Sequence, residues 1–359
     1  MKKNILEICL SPDLGGLELC VLDYFQYFST QTSTYLCVAP EKKLDNFLMH
    51  QNKFTIKRNK LFPFIPAFKL AKKIDEKEID IVHFHWTKDI ATVVLAKVIS
   101  KRKPKIIQSR HMTMTRFKND FYHKWLYKNI DTIHAVTDQV KEQLKQYIPI
   151  DIRPKIEMVY LGVSEPEIDE NMLEELQKKY NIKDDFVVGI VGRIEEGKGQ
   201  YLVIEAIAKL YNPHIKVLII GSTMSDEYLL ELQNTVKNLG IEKQVIFTGF
   251  TNIVNEHINL CDVTVLATVK ETFGLVVIES MINSIPVIAT ANGGPLEIIE
   301  ENVNGLLFDR SSEDLMHKIE ILYKNKEVKN KIAKNSYKYA KEKFDRETQM
   351  KKMSEVLNV

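Results

Sequence analysis

The segment Val187–Gln200, VVGIVGRIEEGKGQ, passes from an unbroken apolar run into a glycine-containing loop and then toward a helix. A strand buried on both faces of a parallel sheet is apolar at consecutive positions, whereas a half-exposed strand alternates. Arg193 and Lys198 stand five residues apart just past the carboxyl end of this strand. Arginine offers a planar fork of donors and lysine a point charge, and together they suit a diphosphate; a solvated turn of mixed charge would look the same.

Outward from this segment, strand and helix patterns alternate. Phe186–Val191 reads as a strand, Tyr201–Leu210 as a helix, Ile215–Ile220 as a strand and Ser225–Leu239 as a helix. Val245–Phe247, Val263–Leu266 and Pro286–Ala289 read as further strands. The same alternation starts the chain: strand Asn4–Leu10, the loop SPDLGG, helix Leu17–Phe28, then strands Thr34–Ala39, Asp80–Phe84, Lys105–Gln108 and Thr132–Val136. Repeated βαβ units imply parallel sheets covered by helices on both faces. The polar, proline-bearing stretch Gly162–Glu170 (GVSEPEIDE) interrupts the pattern. The expected fold is α/β, with two Rossmann-like doubly wound domains facing a cleft and ligands outside the carboxyl ends of the strands. The expected domains are residues 1–164 and 165–342. A tail, 343–359, is expected to pack back toward the first domain, within a Lys/Glu-rich helical stretch from Val328 to Val359.

The 359 residues suit two domains, and 45% hydrophobic and 27% charged content is ordinary for a soluble protein. No window of eighteen apolar residues occurs, and the start MKKNILEICL does not resemble a signal peptide. Cys9, Cys20, Cys37 and Cys261 are scattered and form no Cys-x-x-Cys pair, the pattern of reduced thiols in a cytoplasmic protein. Residues 1–165 carry 27 Lys+Arg against 18 Asp+Glu, net +9, and the remainder 23 against 30, net −7. A basic half favours an anionic surface such as phospholipid headgroups or a lipid-linked phosphate. The basic residues form no recognition helix or aromatic stacking sheet, so nucleic acid is not an expected partner. The aromatic and lysine-rich run 59–73, NKLFPFIPAFKLAKK, suits a membrane interface or a helix covering the first sheet.

The stretch KETFGLVVIES, 270–280, places Glu271 in the loop after strand Val263–Leu266 and Glu279 on the helix that Gly274 begins. Free amides at a helix start attract anions, which makes the Phe273-Gly274-Leu275 turn a phosphate site. Glu279 lies about 8 Å further along the axis, at ~1.5 Å per residue. Carboxylates on either side of a diphosphate can grip the hydroxyls of a sugar and of a ribose. His83 and His85 share a strand face, but no third ligand at a convincing spacing makes a metal site.

GRIEEGKG, ETFGLVVIE and NGGPLEII together resemble the donor-binding domain of retaining glycosyltransferases of family four, which have the two-domain GT-B fold. Gly15 and Gly16 after the first strand, the strand DIVHFH and the strand end QSRH at His111 fall where that family places its glycine loop and cleft histidines. YLGV, with Leu161, departs from the family's Asn-Gly-Val.

The resemblance implies that residues 1–164 bind the acceptor and 165–342 the nucleotide-sugar donor, UDP-sugar favoured and GDP-mannose next. Arg193 and Lys198 would hold the diphosphate. Glu271 would hold hydroxyls of the transferred sugar, helped by the amides of Phe273, Gly274 and Leu275, with Thr272 also in the donor site, and Glu279 those of the ribose. Gly15 and Gly16 would admit the phosphates, His111 would face the sugar, and His85 and Arg110 would line the acceptor cleft. No metal or other cofactor is implied; the chain has no Asp-x-Asp pair. The implied activity is a hexosyltransferase of polysaccharide or lipopolysaccharide synthesis acting on a saccharide or lipid-linked acceptor. Its implied place is the cytoplasm, at the inner face of the cell membrane. A sugar-nucleotide epimerase of the same architecture and a non-catalytic nucleotide-sugar-binding protein are the alternatives.

Overall fold

In a computed structural model describing residues 3–359, the chain divides into two compact units, Met1–Gly162 with Glu347–Val359, and Val163–Arg346. Each is built on one parallel sheet. The first contains β1 (Ile5–Cys9), β2 (Thr34–Val38), β3 (Lys53–Thr55), β4 (Ile81–Phe84), β5 (Lys105–Arg110), β6 (Thr132–Ala135) and β7 (Lys155–Met158), in the order β3-β2-β1-β4-β5-β6-β7. The second contains β8 (Phe186–Val191), β9 (Ile215–Ile220), β10 (Val245–Gly249), β11 (Val263–Leu266), β12 (Val287–Thr290) and β13 (Leu306–Phe308), in the order β10-β9-β8-β11-β12-β13. Every pairing in both sheets is parallel.

Both sheets reverse their winding beside the first strand of the unit, between β1 and β4 and between β8 and β11. At such a reversal the loops leave neighbouring strand ends in opposite directions and open a crevice for a ligand. The central strands are wholly buried because helices cover both faces, as for Val188, Ile190, Val263, Val265 and Ile288 in the second unit. β3, β7 and β13 are edge strands, the first two mixing lysine with apolar residues. A strand with one covered flank has no reason to be continuously apolar, which is why β3 and β7 escape the sequence pattern; β13, Leu306–Phe308, is apolar but only three residues long.

The Lys/Glu-rich end is two helices, Lys326–Lys343 and Arg346–Leu357. At the break between them Val163 donates to Phe344 O at 2.8 Å and accepts from Arg346 N at 3.0 Å. Phe344 is fully buried there, edge-on to Phe273 with ring centroids 5.9 Å apart. The last helix joins the first unit. Its Glu347 accepts from Tyr27 Oη at 3.3 Å, its Val356 O from Lys105 Nζ at 3.4 Å, and Met350, Met353 and Leu357 are buried.

Candidate active site

In the second unit, three loops at the carboxyl ends of β8, β11 and β12 pack backbone against backbone. The loop after β8 is pinned by Ile194, which donates to Ser222 O at 2.9 Å and accepts from Met224 N at 3.1 Å. It closes in a single 3-10 turn, Glu196–Lys198, and enters helix Gln200–Leu210 through Gly199, whose φ of +76° is left-handed. A Cβ at Gly199 would lie 2.4 Å from Ala267 O, so the β8 loop can sit this close to the β11 strand end only without a side chain there. Val269 N donates to Gly197 O at 3.0 Å and fixes the same approach. From the other side, Gly294 N donates to Glu271 O at 3.0 Å, and a Cβ at Gly293 would lie 2.0 Å from that oxygen.

This packing brings Lys198 to Glu271, with Nζ 3.7 Å from Oε2 and both side chains partly open to solvent. Glu271 Oε1 accepts from its neighbour Thr272 N at 3.2 Å. Arg193 reaches Glu195 at 3.2 Å and keeps the rest of its guanidinium toward solvent. Helix Leu275–Ile282 begins at Gly274, and the amides of Gly274 and Leu275 have no acceptor among the described residues. They are the free donors of a helix N-terminus. Glu279 sits in the second turn, half-buried and with no partner for its carboxylate among the described residues. Burial pushes its carboxyl up to about 7. A carboxyl so placed is suited to accept from a neutral hydroxyl, which lifts the desolvation by supplying the missing hydrogen bond.

In the first unit, Gly15 and Gly16 follow β1 and open helix Gly16–Ser29. Gly15 N donates to Glu18 Oε2 at 3.0 Å, and a Cβ at Gly16 would meet nothing within 4 Å. The β1 loop is tied to the turn after β4 by buried Asp89, whose Oδ2 accepts from Leu10 N at 2.9 Å.

His111 follows β5 and is half-buried. Its Nε2 lies 3.2 Å from His85 Nδ1; His85 Nε2 lies 2.7 Å from Glu7 Oε2. Glu7 also meets His83 Nδ1 at 2.9–3.1 Å, His83 Nε2 meets Ser109 Oγ at 2.7 Å, Ser109 meets His134 Nδ1 at 2.6 Å, and His134 Nε2 ends the chain on Val159 O at 2.8 Å. His85 is 1% exposed and Glu7, His83, Ser109 and His134 are 0% exposed. Parallel register sets Glu7 beside His83 and Ser109 beside His134. Burial, foremost, holds His83, His85 and His111 down to about 3 and His134 down to about 4, and raises Glu7 from the ordinary carboxyl range.

Glu7, His83 and His85 are the third-ligand set that sequence spacing does not reveal, with donor atoms within 4.8 Å of one another. Here Glu7 meets both histidines at hydrogen-bond distance. A glutamate inside the apolar strand ILEIC, and polar residues on the same face of β4, β5 and β6, were the available signals. Arg110 turns inward: Nε donates to Met112 O at 2.7 Å, Nη2 to Thr113 O at 2.8 Å and Nη1 to Thr87 Oγ1 at 2.9 Å. It thereby braces the loop that carries His111. His85 has both ring nitrogens engaged, Nε2 with Glu7 and Nδ1 with His111.

Residues 172–339 match the family model of glycosyl transferases group 1, and residues 14–165 that of glycosyltransferase family 4. The chain belongs to this glycosyltransferase family. It is 29% identical over 199 residues to the uncharacterized glycosyltransferase MJ1607 of Methanocaldococcus jannaschii, covering 53% of this chain and 50% of that protein. It is 30% identical over 239 residues to the N-acetylgalactosamine-N,N'-diacetylbacillosaminyl-diphospho-undecaprenol 4-alpha-N-acetylgalactosaminyltransferase of Campylobacter jejuni, covering 62% of this chain and 63% of that one. These matches thus span half to somewhat under two thirds of the two relatives. The crystal structure of Anabaena Alr3699/HepE with UDP and glucose superposes with a TM-score of 0.87 at 21% identity, covering 99% of each chain, and has the same GT-B fold.

The buried histidines give the first unit an acid-sensitive stability. Their folded values lie below the unfolded 6.5, so the unfolded chain takes up protons that the folded chain refuses, and stability falls as pH drops from 6.5 toward about 4. Glu7 and Asp89, both raised in the fold by burial, oppose this with two protons against four. Each net proton contributes about 1.4 kcal/mol per pH unit. Both tryptophans, Trp86 and Trp125, lie in the first unit. Urea melts followed by tryptophan fluorescence are therefore expected to show a clearly lower midpoint at pH 5.5 than at pH 7; an equal or higher midpoint contradicts the neutral-histidine core.

Proposed function

We propose that this chain transfers a hexose from a nucleotide diphosphate sugar, UDP-sugar first and GDP-mannose next, to a saccharide or lipid-linked acceptor with retention of anomeric configuration. The observation that carries this reading is Lys198 beside Glu271 in one loop cluster, followed by the free amides of Gly274 and Leu275 at a helix start and by Glu279 in the second turn of that helix. Breaking a glycosyl–phosphate bond leaves a departing diphosphate and an oxocarbenium-like carbon. Positive charge fixed beside the diphosphate lowers that barrier. In this reading Arg193, Lys198 and the amides of Phe273, Gly274 and Leu275 receive the diphosphate, while Thr272 lies beside them in the donor site. Glu271 takes hydroxyls of the sugar, Glu279 takes the ribose hydroxyls, and the side-chain-free space at Gly16 admits the phosphates. His111 contacts the sugar. The lysine and arginine do what a divalent ion would do, so turnover is expected to persist in EDTA.

A thermal-shift panel of UDP, GDP, ADP and their sugars tests the reading. The cognate nucleotide at a hundred times its Kd stabilises by about 2.7 kcal/mol, and a chain that responds to none of them is not a nucleotide-sugar enzyme. Within that assay, Lys198→Ala is expected to keep its melting temperature and lose about 10²–10³ in kcat. Glu279→Ala is expected to lose nucleotide affinity by calorimetry; unchanged affinity removes the ribose role.

We further propose that the first unit works at an anionic membrane surface, on the cytoplasmic side. No helix among the described residues is long and apolar enough to cross a membrane. Yet Leu61, Phe62, Phe64, Ile65 and Phe68, at the start of helix Phe64–Glu76, are 62–80% exposed. Exposed Lys57, Lys60, Lys69 and Lys72 surround them. A second exposed group, Met112, Phe117, Phe121 and Tyr122, follows His111. Arg58 donates to Lys88 O and Arg110 to Thr87 Oγ1, so both segments border the same turn after β4. Apolar side chains inserting between headgroups, flanked by lysines worth ~1 kcal/mol each near an anionic surface, make a reversible anchor. Co-sedimentation with phosphatidylglycerol vesicles is expected for the wild type and to fall at least tenfold in Phe62→Ser/Phe64→Ser/Phe68→Ser. Equal binding of the two, or binding that ignores lipid charge, contradicts the anchor.

A further inference from the structure

We propose that Glu7 is a positioning residue for the reaction. Through His85 it holds the His111 ring in one tautomer, Nε2 protonated and Nδ1 bare, so that Nδ1 is the acceptor offered to a substrate hydroxyl. This rests on the assignment of His111 to the sugar made above.

The direction of every hydrogen bond in the buried chain follows from its fixed end. Val159 O can only accept, so His134 Nε2 carries a hydrogen. If His134 is neutral, its Nδ1 accepts from the Ser109 hydroxyl, and Ser109 Oγ accepts from His83 Nε2–H. His83 Nδ1 is then bare and faces Glu7, which must supply the hydrogen as a carboxylic acid. If instead His83 or His134 carries a charge, Glu7 is a carboxylate. In each arrangement the four groups Glu7, His83, Ser109 and His134 hold the same number of hydrogens and are neutral together. In none of them does Glu7 have a hydrogen to spare for His85.

His85 Nε2 must therefore donate to Glu7 Oε2 across their 2.7 Å contact. The neutral His85 ring then has a bare Nδ1, and His111 Nε2 must donate to it across 3.2 Å. His111 is left with Nδ1 as its unprotonated nitrogen. Complete burial of Glu7 and near-complete burial of His85 leave no water to offer an alternative partner, and Tyr24 packs on both His83 and His85 at ring-centroid distances of 5.3 and 5.4 Å, which keeps the rings from turning. A charged-to-amide change fits the same pattern. In Glu7→Gln the amide NH2 can donate to His83 and the carbonyl can accept from His85, whereas Glu7→Leu can do neither.

The test is histidine nitrogen NMR on full-length protein labelled with [15N]histidine, with His111 assigned from His111→Asn. In the wild type and in Glu7→Gln, His111 Nδ1 is expected to give the signal of a bare ring nitrogen and Nε2 that of an N–H. In Glu7→Leu the ring is expected to lose this preference and kcat to fall by roughly 10–100-fold, the scale seen when the partner orienting a working histidine is removed. Nucleotide affinity by calorimetry should stay unchanged, which separates positioning from loss of fold. A wild-type His111 protonated on Nδ1 overturns the proposal, and so does a Glu7→Leu variant with the wild-type tautomer. Stoichiometric zinc held by His83 and His85 in the purified protein overturns it as well, since a metal would replace the hydrogens on which the chain of donors depends. If Glu7→Leu does not fold, the wild-type and Glu7→Gln tautomers still decide. A wild type with the expected tautomer that transfers sugar from no nucleotide refutes the role of His111 but leaves its orientation by Glu7 established, so the two failures are told apart.

Discussion

The second unit depends on places where backbone meets backbone with no side chain between. Gly199 lies against Ala267 O, Gly293 against Glu271 O and Gly294 against Phe273 O, each closer than a Cβ would permit. These contacts lock three strand-end loops into one rigid cluster. The side chains the loops carry, Lys198 and Glu271 among them, are brought together by the backbone and not by their own attraction. That attraction is weak: a pair 3.7 Å apart and partly solvated contributes at most about 1 kcal/mol. The energy that assembles the site therefore comes from the apolar sheet below it, and the charges remain free to bind something else.

The first unit holds its polar groups in the opposite way. Glu7, His83, Ser109 and His134 lie on four neighbouring strands, sealed from water, and satisfy one another completely. A partly satisfied network of this kind would cost more than apolar packing, so its presence in the middle of the sheet argues for specificity over stability. Through Glu7 and His85 the network extends to half-buried His111. Arg110 braces the following loop from beneath by donating to two of its carbonyls.

The sequence declares the parts of the site that need unusual residue types at unusual places. An arginine and a lysine after an apolar strand, and a glutamate before Phe-Gly at a helix start, are visible because nothing in the folding of a parallel sheet requires them. The central strands of the second unit are equally visible because burial on both faces makes them predominantly apolar; β8, β9 and β11 have the bounds that their composition suggests. What the sequence hides is whatever depends on register between strands. Glu7 looks like a lone acid in ILEIC until β1 is set beside β4, and Ser109 and His134 have no local signature at all. The edge strands β3 and β7 are hidden for the converse reason, since one free flank relaxes the apolar pattern, and β13 because three apolar residues are too few to read as a strand. The single helical stretch expected from Val328 onward is cut in two because Val163 captures the backbone on either side of Asp345, a long-range bond that no local propensity encodes.

That capture has a topological consequence. The polypeptide leaves the first unit after Gly162 and comes back to it after Arg346, and the outgoing and incoming strands are hydrogen-bonded to each other where they cross. The first unit is thus discontinuous in the gene. A fragment cut at Gly162 would lack the helix that buries Met350, Met353 and Leu357, and would bare the apolar surface those residues cover. Only the second unit, an unbroken stretch from Val163 to Arg346, is one that evolution or an engineer could excise or exchange as a cassette.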